Sequence, residues 1–386
     1  MAENLDSREV FPTGLPLPPS QAETLQSTKA PASSRSFFDL LKTIEQQEQP
    51  RRILTADCSD PKEIDDGIYV EPLASAQEMY RVGVCVADTS KLFPQQGIYR
   101  QAMEKTRARY WDLPNGERGY EPMIDPHLIE DLELREGEER SSLVLEFIVG
   151  EKEAPRDLSV TFQPVFVEKN LDYRRLSLEG RTGGRYERHV RAAGYIMQHL
   201  KYRAGGDQDS VVQTLESSLP PSLEQYRSRS HWFRGSKYNE AYMIAANHLV
   251  GKMLADEGSP AIYRVFDPSD EKYLEFIPPN IATYSWQPGP HAGLSLEPIC
   301  RVTSPLRRLE DFVMNYQLKQ RFIGRVATRR DEAEVYVAVQ HLNRQLVADI
   351  AAGPLRLNAI DVLGAAGVKS GRKTQLTPLD SSIEVA

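Results

Sequence analysis

The sequence predicts an α+β domain, and two observations carry that prediction. Five short segments rich in β-branched and aromatic residues lie between residues 52 and 169, separated by turns or charged stretches. Four longer segments, three of them later in the chain, have apolar residues at the spacing of a helix face. Strands first and long helices afterwards are typical of an antiparallel sheet packed by helices, so we expect a mainly antiparallel sheet at the centre.

Each element follows from a local pattern. Strands are predicted over residues 52–58, 67–73, 80–90, 141–150 and 158–169. Helices are predicted over 97–111, 239–258, 309–324 and 333–354. The second helix ends at Gly258 before Pro260, and the last is stopped by Gly353 and Pro354.

The ends of the chain differ in composition from its centre. Residues 1–35 are rich in proline and serine, which predicts a disordered tail because few apolar groups offset the entropy of ordering. A short amphipathic helix is predicted over 36–49, before Pro50. We expect one large domain over 50–330 and a helical extension with a loose tail over 331–386.

Composition excludes several classes of protein. No run of about 18 apolar residues and no N-terminal leader pattern is present, so we expect a cytoplasmic protein with no membrane partner. The three cysteines are far apart and the histidines are scattered, which excludes a disulfide framework and a zinc site. If a metal is bound, carboxylates must hold it.

The charge is unevenly distributed. The formal net charge of -8 argues against a nucleic-acid partner, but basic residues gather in two stretches, 174–191 and 301–325. Each stretch fits a solvated surface, and a locally basic groove on an acidic protein is the alternative.

The strongest motif is a group of five carboxylates within ten positions, directly after the first predicted strand. They are Asp57, Asp60, Glu63, Asp65 and Asp66. Carboxylates this close repel one another, so water or a cation must surround them. Hard oxygen ligands without histidine or cysteine favour Mg²⁺, with Mn²⁺ as a substitute. Taken alone, the motif fits a solvated acidic turn equally well, and its spacing is not that of an EF-hand.

A second motif follows a glycine-rich turn. Thr303, Ser304 and Pro305 form a bend, and Arg307 and Arg308 open a predicted helix. Arginine presents a planar fork of donors and a helix N-terminus presents oriented amides, so the arrangement suits a phosphate clamp. A surface arginine pair is the competing interpretation of this motif alone.

Together the two motifs resemble the RNB catalytic domain of the ribonuclease II and ribonuclease R family. The first family motif has an aspartate, five intervening residues, an acidic residue, one apolar residue and two aspartates, which here are Asp57, Glu63, Ile64, Asp65 and Asp66. The segment that contains Asp88 and Tyr110 is similar to the family's strand, turn and helix. NEAYMIAAN looks like its glutamate-led helix, and TSPLRR looks like its TSPIRR segment.

The resemblance implies a 3′ to 5′ exoribonuclease that hydrolyses single-stranded RNA to nucleoside 5′-monophosphates with two Mg²⁺ ions. Asp57, Glu63, Asp65 and Asp66 would hold metal, and Asp65 would also be catalytic by organising the second metal or the attacking water. Two metals about 4 Å apart can activate water and stabilise the leaving 3′ oxygen. Arg307 would be catalytic by neutralising the scissile phosphate as charge builds.

Four residues are expected to contact RNA. Tyr110 and Tyr173 match family tyrosines placed against the 3′ end of the RNA, where stacking accepts any base. Glu240 matches a helix glutamate near the 3′ nucleotide, and Arg308 would position the RNA backbone or have a structural role. Core packing explains Tyr173 nearly as well, and a helix-end charge explains Glu240 equally well.

The sequence departs from the family at several positions. Glu63 stands where aspartate is more common, which adds a methylene to that ligand. Ala241, Ile299 and Leu309 replace a glutamate and two tyrosines, so we expect altered RNA contacts. The aromatic residue that opposes the first tyrosine has no assigned position, and Trp232 and Phe233 are candidates.

Relatives usually carry cold-shock domains before the catalytic domain and another oligonucleotide-binding barrel after it, and the sequence predicts neither module. We therefore expect weak, salt-sensitive, distributive action unless a protein partner anchors the RNA. Two other interpretations stay open: a catalytically inactive RNA-binding protein on the same fold, and an interaction protein whose acidic cluster only keeps the surface soluble.

Overall fold

The computed structural model describes residues 50–58, 60–73, 78–112, 118–180, 183–203, 230–267 and 282–351. All of these fall in one compact unit that begins at Glu48. The predicted tail over 1–35, the predicted helix over 36–49 and the chain after residue 351 lie outside the described residues. So do the side chains of Trp232 and Phe233.

The strands in chain order are β1 (Arg51–Asp57), β2 (Asp66–Pro72), β3 (Met79–Ala87), β4 (Arg109–Asp112), β5 (Arg118–Glu121), β6 (Glu139–Gly150), β7 (Arg156–Asp172), β8 (Tyr263–Val265) and β9 (Thr283–Ser285). The α-helices are α1 (Gln96–Lys105), α2 (Pro126–Leu132), α3 (Tyr173–Glu179), α4 (Glu187–Arg203), α5 (Ser230–Asp256), α6 (Leu309–Phe322) and α7 (Arg329–Ala351). These bounds agree closely with most of the predicted elements.

Five of the strands close into a barrel in the order β1-β2-β3-β6-β7. Neighbouring strands are antiparallel, except that β1 pairs in parallel with β7 to complete the ring. Gly83 of β3 lies opposite Tyr69 of β2, and a β-carbon at position 83 would approach the tyrosine ring to 2.0 Å. Only glycine lets the ring lie across this part of the barrel.

Besides a small cluster that joins β1 and β7 to α3, alternation along the strands divides their side chains between two apolar clusters. One cluster draws a residue from each barrel strand, including Ile53, Tyr69, Cys85, Val144 and Val165, and so fills the barrel interior. The other joins the outer faces of the strands to α4, α5 and α6. Burial on both faces explains why the segments that form β2 and β3 are so apolar.

Helix α5 runs through the larger cluster and is the longest of the described helices. Its residue Gly235 packs directly against the start of α3, where a β-carbon would come within 1.8 Å of the Tyr173 carbonyl oxygen. The close approach brings the N-terminal half of α5 to the end of β7 and hence to the barrel rim.

The helix predicted over residues 97–111 is wrong at its C-terminal end. Helix α1 stops at Lys105, and Arg109–Trp111 belong to β4, which forms a hairpin with β5. Thr106 has a positive φ of 59°, which ends the helix. The main chain then pairs with the segment before α6: Ala108 N–H donates to the Arg307 carbonyl, and Leu309 N–H donates to the Thr106 carbonyl. Long-range pairing overrides the local helical pattern here.

The α+β fold class with a mainly antiparallel sheet is confirmed. Barrel closure by a parallel pair adds a feature that the sequence pattern does not contain. The boundary between residues 330 and 331 remains a prediction. Helix α7, which follows it, packs on the same core through Val335, Val339 and Leu342. In the part of the chain that the structure describes, each helix is too short or too polar to cross a membrane.

Candidate active site

Four of the predicted metal ligands lie at one rim of the barrel. Asp57 is the last residue of β1 and Asp66 is the first residue of β2, so the antiparallel pairing of these strands brings the two together. Glu63 and Asp65 come from the connecting loop, and the side chains of Glu63, Asp65 and Asp66 are buried. The loop therefore curves back over the strand ends, as convergence of the carboxylates requires.

Asp65 and Arg307 form the central ion pair of this rim. The Asp65 Oδ2 atom lies 2.9 Å from Arg307 Nε, and Oδ1 accepts a hydrogen bond of 2.8 Å from the Leu306 N–H. The Asp65 carbonyl accepts from the Ala87 N–H, which fixes the loop to β3. The segment before α6 thus binds Asp65 through both a side chain and the main chain.

The β4–β5 hairpin contributes a pair of tyrosines. The Tyr110 hydroxyl donates a hydrogen bond of 2.5 Å to Glu63 Oε2. Tyr120 lies directly opposite Tyr110, with ring centroids 5.4 Å apart. Burial and the neighbouring Glu63 raise the pKa of both hydroxyls, so both stay protonated and can serve as donors to this carboxylate. Sequence reasoning missed Tyr120, because only the hairpin register places it here.

Helix α5 contributes an amide to the site. The Asn239 side chain donates to Asp66 Oδ2 at 3.3 Å. Its neighbour Glu240, which the sequence predicts near RNA, accepts a hydrogen bond of 3.1 Å from Lys237 on the same helix. Asn239 immediately precedes Glu240, so the NEAYMIAAN motif that predicts Glu240 also contains this residue.

Tyr173 and Arg308 are both close enough to the carboxylates for their charges to interact. Tyr173 is the first residue of α3, and burial followed by the charges of Asp57 and Asp66 raises the pKa of its hydroxyl. Arg308 precedes α6. Burial and the positive charges of Arg301 and Arg307 lower its pKa, and the negative charges of Asp311 and Glu310 act in the opposite direction. Tyr173 therefore faces the acidic rim, whereas Arg308 belongs largely to a neighbouring buried charge cluster with Arg301, Glu310 and Asp311.

The Asp88 carboxylate is hydrogen-bonded to residues that have a structural role. Its Oδ1 accepts hydrogen bonds from the Ser90 N–H and hydroxyl, and its Oδ2 accepts from the Ser141 hydroxyl at 3.1 Å. These contacts stabilise the turn after β3 and join it to β6.

Electrostatics at the rim are dominated by crowded negative charge. The pKa of Asp57 is raised to about 7, first by burial and then by the charge of Asp66, although Arg307 opposes the shift. Burial also raises the pKa values of Asp65 and Asp66, again against the effect of Arg307. The arginine thus falls short of neutralising the carboxylates, and a further cation would stabilise their ionised forms.

The donor set fits a hard divalent cation. All four candidate ligands are carboxylates, as Mg²⁺ and Mn²⁺ prefer, and Glu63 Oε1 is buried with no hydrogen-bond donor among the described residues. Within those same residues, no group of three or more aspartate, glutamate, histidine or cysteine side chains is already arranged around a metal position. The carboxylates are held by an ion pair with Arg307 and by hydrogen bonds from Tyr110 and Asn239, so the ligand assignment stays a prediction.

Comparison with known families identifies this arrangement. The RNB domain family matches residues 46–281, which is more than half of the chain. The chain belongs to the RNB family. The matched range ends before Arg307, and it is the fold that brings this arginine to the carboxylates of the RNB domain.

Two curated relatives extend the comparison beyond the matched range. Exoribonuclease 2 of Cronobacter sakazakii is 26% identical over 361 residues, which cover 77% of this chain and 54% of the relative. An uncharacterized ribonuclease of Synechocystis sp. is 23% identical over 349 residues, which cover 81% of this chain and 48% of the relative. The chain spans about half the length of these curated relatives.

Solved structures share the fold of this RNB domain. Mycoplasma genitalium RNase R in complex with double-stranded RNA matches with a TM-score of 0.63 and 15% identity, over 82% of this chain and 66% of that one. Yeast Ssd1, a pseudonuclease, matches with a TM-score of 0.57 and 14% identity, over 80% of this chain and 45% of that one. The RNB fold therefore occurs both with and without nuclease activity in proteins similar to this one.

Proposed function

We propose that this RNB protein is a divalent-metal-dependent exoribonuclease that removes nucleoside 5′-monophosphates from the 3′ end of single-stranded RNA. The observation that carries the proposal is the acidic rim, where four carboxylates crowd around Arg307 and where burial raises the pKa values of Asp57, Asp65 and Asp66, helped at Asp57 and Asp65 by neighbouring negative charge. A purely structural site would gain nothing from this surplus of buried negative charge.

Asp57, Glu63, Asp65 and Asp66 would hold Mg²⁺ or Mn²⁺, two ions in the full site. When bound, the cations supply Lewis-acid stabilisation to phosphate oxygens and activate water. The residues themselves keep the carboxylates in reach: Asn239 orients Asp66, Tyr110 orients Glu63, and the Leu306 N–H orients Asp65.

Arg307 would bind the scissile phosphate. Its side chain is 31% exposed, so a phosphate can reach it, whereas its partner Asp65 is 1% exposed. A guanidinium held by protein contacts before substrate arrives stabilises developing charge without reorganising. The arginine also offsets repulsion between the phosphate and the carboxylates beside it.

Tyr110 and Tyr173 would contact the 3′ nucleotide, since both hydroxyls face the acidic rim. Stacking on a tyrosine ring accepts any base, which suits an enzyme that degrades RNA of varied sequence. Glu240 and Arg308 would contribute less directly to RNA binding. Glu240 would act through its contact with Lys237, and Arg308 would position the RNA backbone. A protein partner that anchors RNA would increase the rate on long substrates.

The direct test is digestion of a 5′-labelled single-stranded RNA with Mg²⁺, beside a reaction with EDTA and a circular RNA of the same sequence. We expect a ladder that shortens by single nucleotides, released 5′-monophosphates, no reaction in EDTA and an intact circle. Cleavage of the circle would contradict exonuclease action, because the circle has no 3′ end.

A catalytically inactive RNA-binding protein is the alternative function. The fold similarity to the pseudonuclease Ssd1 favours it, and so does the occupation of the carboxylates by protein donors. In that case the labelled RNA would be retained in a binding assay and recovered at full length after incubation with Mg²⁺ or Mn²⁺.

A further inference from the structure

The guanidinium of Arg307 is held at two of its nitrogen atoms. Nε lies 2.9 Å from Asp65 Oδ2, and Nη2 donates a hydrogen bond of 3.1 Å to the Ser304 hydroxyl oxygen. One contact alone would let the planar group swing about the contacting atom. Two contacts at different nitrogens define the orientation of the plane, and therefore the direction in which Arg307 meets a phosphate.

Ser304 is itself fixed by the first turn of α6. Its N–H donates a hydrogen bond of 2.8 Å to Asp311 Oδ1, and its carbonyl accepts from the Arg307 N–H at 3.4 Å. Both Ser304 and Asp311 are buried, Asp311 completely. The hydroxyl that holds Arg307 is therefore anchored to a helix in the core and not to a mobile surface loop.

We propose that Ser304 is a positioning residue for Arg307, and that its hydroxyl sets the orientation in which the guanidinium meets the scissile phosphate. The inference rests on the proposed function. Asp311 completes the arrangement by holding the Ser304 main chain, so that a rigid series of contacts runs from α6 through Asp311 and Ser304 to Arg307. Ser304 acts through the arginine because it is itself too deeply buried to meet RNA.

The test uses two substitutions at one position and a matched control. Ser304→Ala removes the hydroxyl, whereas Ser304→Thr retains it. Ser142→Ala is the control: Ser142 is equally inaccessible, lies on barrel strand β6, and its hydroxyl donates to the Arg140 carbonyl at 3.5 Å. Single-turnover hydrolysis with Mg²⁺ gives the chemical rate, RNA binding in EDTA gives the affinity, and crystal structures give the position of the Arg307 guanidinium.

We expect Ser304→Ala to lower the single-turnover rate by about tenfold or more, because a misdirected guanidinium loses transition-state contacts. Its RNA affinity should stay within about threefold of wild type, since the charge of Arg307 remains. Ser304→Thr should recover most of the rate, and Ser142→Ala should keep it. In crystals, the guanidinium should leave its wild-type position in Ser304→Ala and occupy it in Ser304→Thr.

An unchanged rate in Ser304→Ala with the guanidinium in its wild-type position would overturn the inference. A parallel loss of rate and affinity that threonine does not restore would also overturn it, because that pattern indicates general disruption of the fold. If wild-type protein hydrolyses no RNA, the proposed function fails, and the crystallographic position of Arg307 in the two variants still decides whether Ser304 positions it.

Discussion

Two groups of buried charges lie next to each other in this RNB domain, and they differ in balance. In the acidic rim, Asp57, Glu63, Asp65 and Asp66 surround Arg307. In the balanced cluster beside it, two arginines face two carboxylates: Arg301, Arg308, Glu310 and Asp311. Both groups contain residues from the segment around the start of α6.

The balanced cluster has the character of a structural core. Arg301 Nη1 lies 3.3 Å from Glu310 Oε1, with the two side chains 2% and 4% exposed. Tyr284 donates to the same Glu310 oxygen at 3.2 Å, and Arg264 stacks over the Tyr284 ring. A buried charge that is paired and hydrogen-bonded is tolerated within a core.

The comparison teaches that burial of charge does not by itself indicate function. Opposite charges match in number in the cluster, whereas four carboxylates face one arginine in the rim. Surplus charge of one sign indicates that a ligand of the opposite sign is expected. Substitutions should therefore affect chemistry at the rim and stability in the cluster.

The largest effect is expected at Asp65. Asp65→Asn should lower the rate of RNA hydrolysis by about a thousandfold or more, because it removes a charge that organises the metal site. RNA binding in EDTA should change little, since the carboxylate organises chemistry and not the anchoring of RNA. Hydrolysis at the parent rate by the purified variant would show that the metal-site assignment is wrong.

Substitution of Arg301, in the balanced cluster, should affect stability and not chemistry. Arg301→Met leaves Glu310 without its buried cation, so the free energy of unfolding should fall by about 3–5 kcal/mol in urea denaturation. The matched control is Arg185→Met, which breaks an exposed ion pair of 3.0 Å with Glu168 and should cost about 1 kcal/mol or less. If the two variants lost similar amounts of unfolding free energy, the buried ion pair would contribute no more to stability than the exposed one.

Arg307 and Arg308 are adjacent in sequence but belong to different groups. Arg307→Lys should lower the single-turnover rate by about a hundredfold, because lysine cannot keep contacts with both Asp65 and Ser304. Arg308→Lys should cost less in rate and show mainly a salt-dependent change in RNA binding. Single-turnover cleavage at saturating enzyme compares them; a larger loss at Arg308 would place the catalytic role on the other arginine.

The smallest effect concerns His189, which is buried on α4. Burial, with Arg188, lowers its pKa from 6.5 to about 3. The unfolded chain therefore takes up a proton that the folded protein excludes, and stability is lost as pH falls below 6.5. As the pH falls from about 6 to about 4, the free energy of unfolding of wild type should decrease by about 1.4 kcal/mol per pH unit more than that of His189→Gln. Parallel pH profiles of unfolding free energy would show that His189 makes no such contribution.

The sequence predicted most of the barrel strands because each is a local pattern of apolar residues with turns on either side. It predicted the carboxylates of the rim because four of them share one short motif. Closure of β1 on β7 was not predictable from such patterns, since the paired residues are more than a hundred positions apart in the sequence and the pairing leaves no local signal.

Three details of the site depend on contacts between distant segments. Tyr120 meets Glu63 only because Tyr110 lies on a strand, where the local pattern favoured a helix. Asn239 reaches Asp66 because Gly235 lets α5 approach α3 closely. Ser304 gains its contact with Arg307 from a turn held by Asp311. Register, helix crossing and a buried turn are tertiary features, and residue spacing does not encode them visibly.

Calorimetric titration with Mg²⁺ tests most directly whether the acidic rim is a cation site. The titration is carried out on wild type, Asp65→Asn and Arg301→Met at a temperature where all three are folded. We expect saturable binding to wild type and Arg301→Met, and weakened or abolished binding to Asp65→Asn. Absence of saturable binding to wild type, or equal binding to Asp65→Asn, would contradict the account.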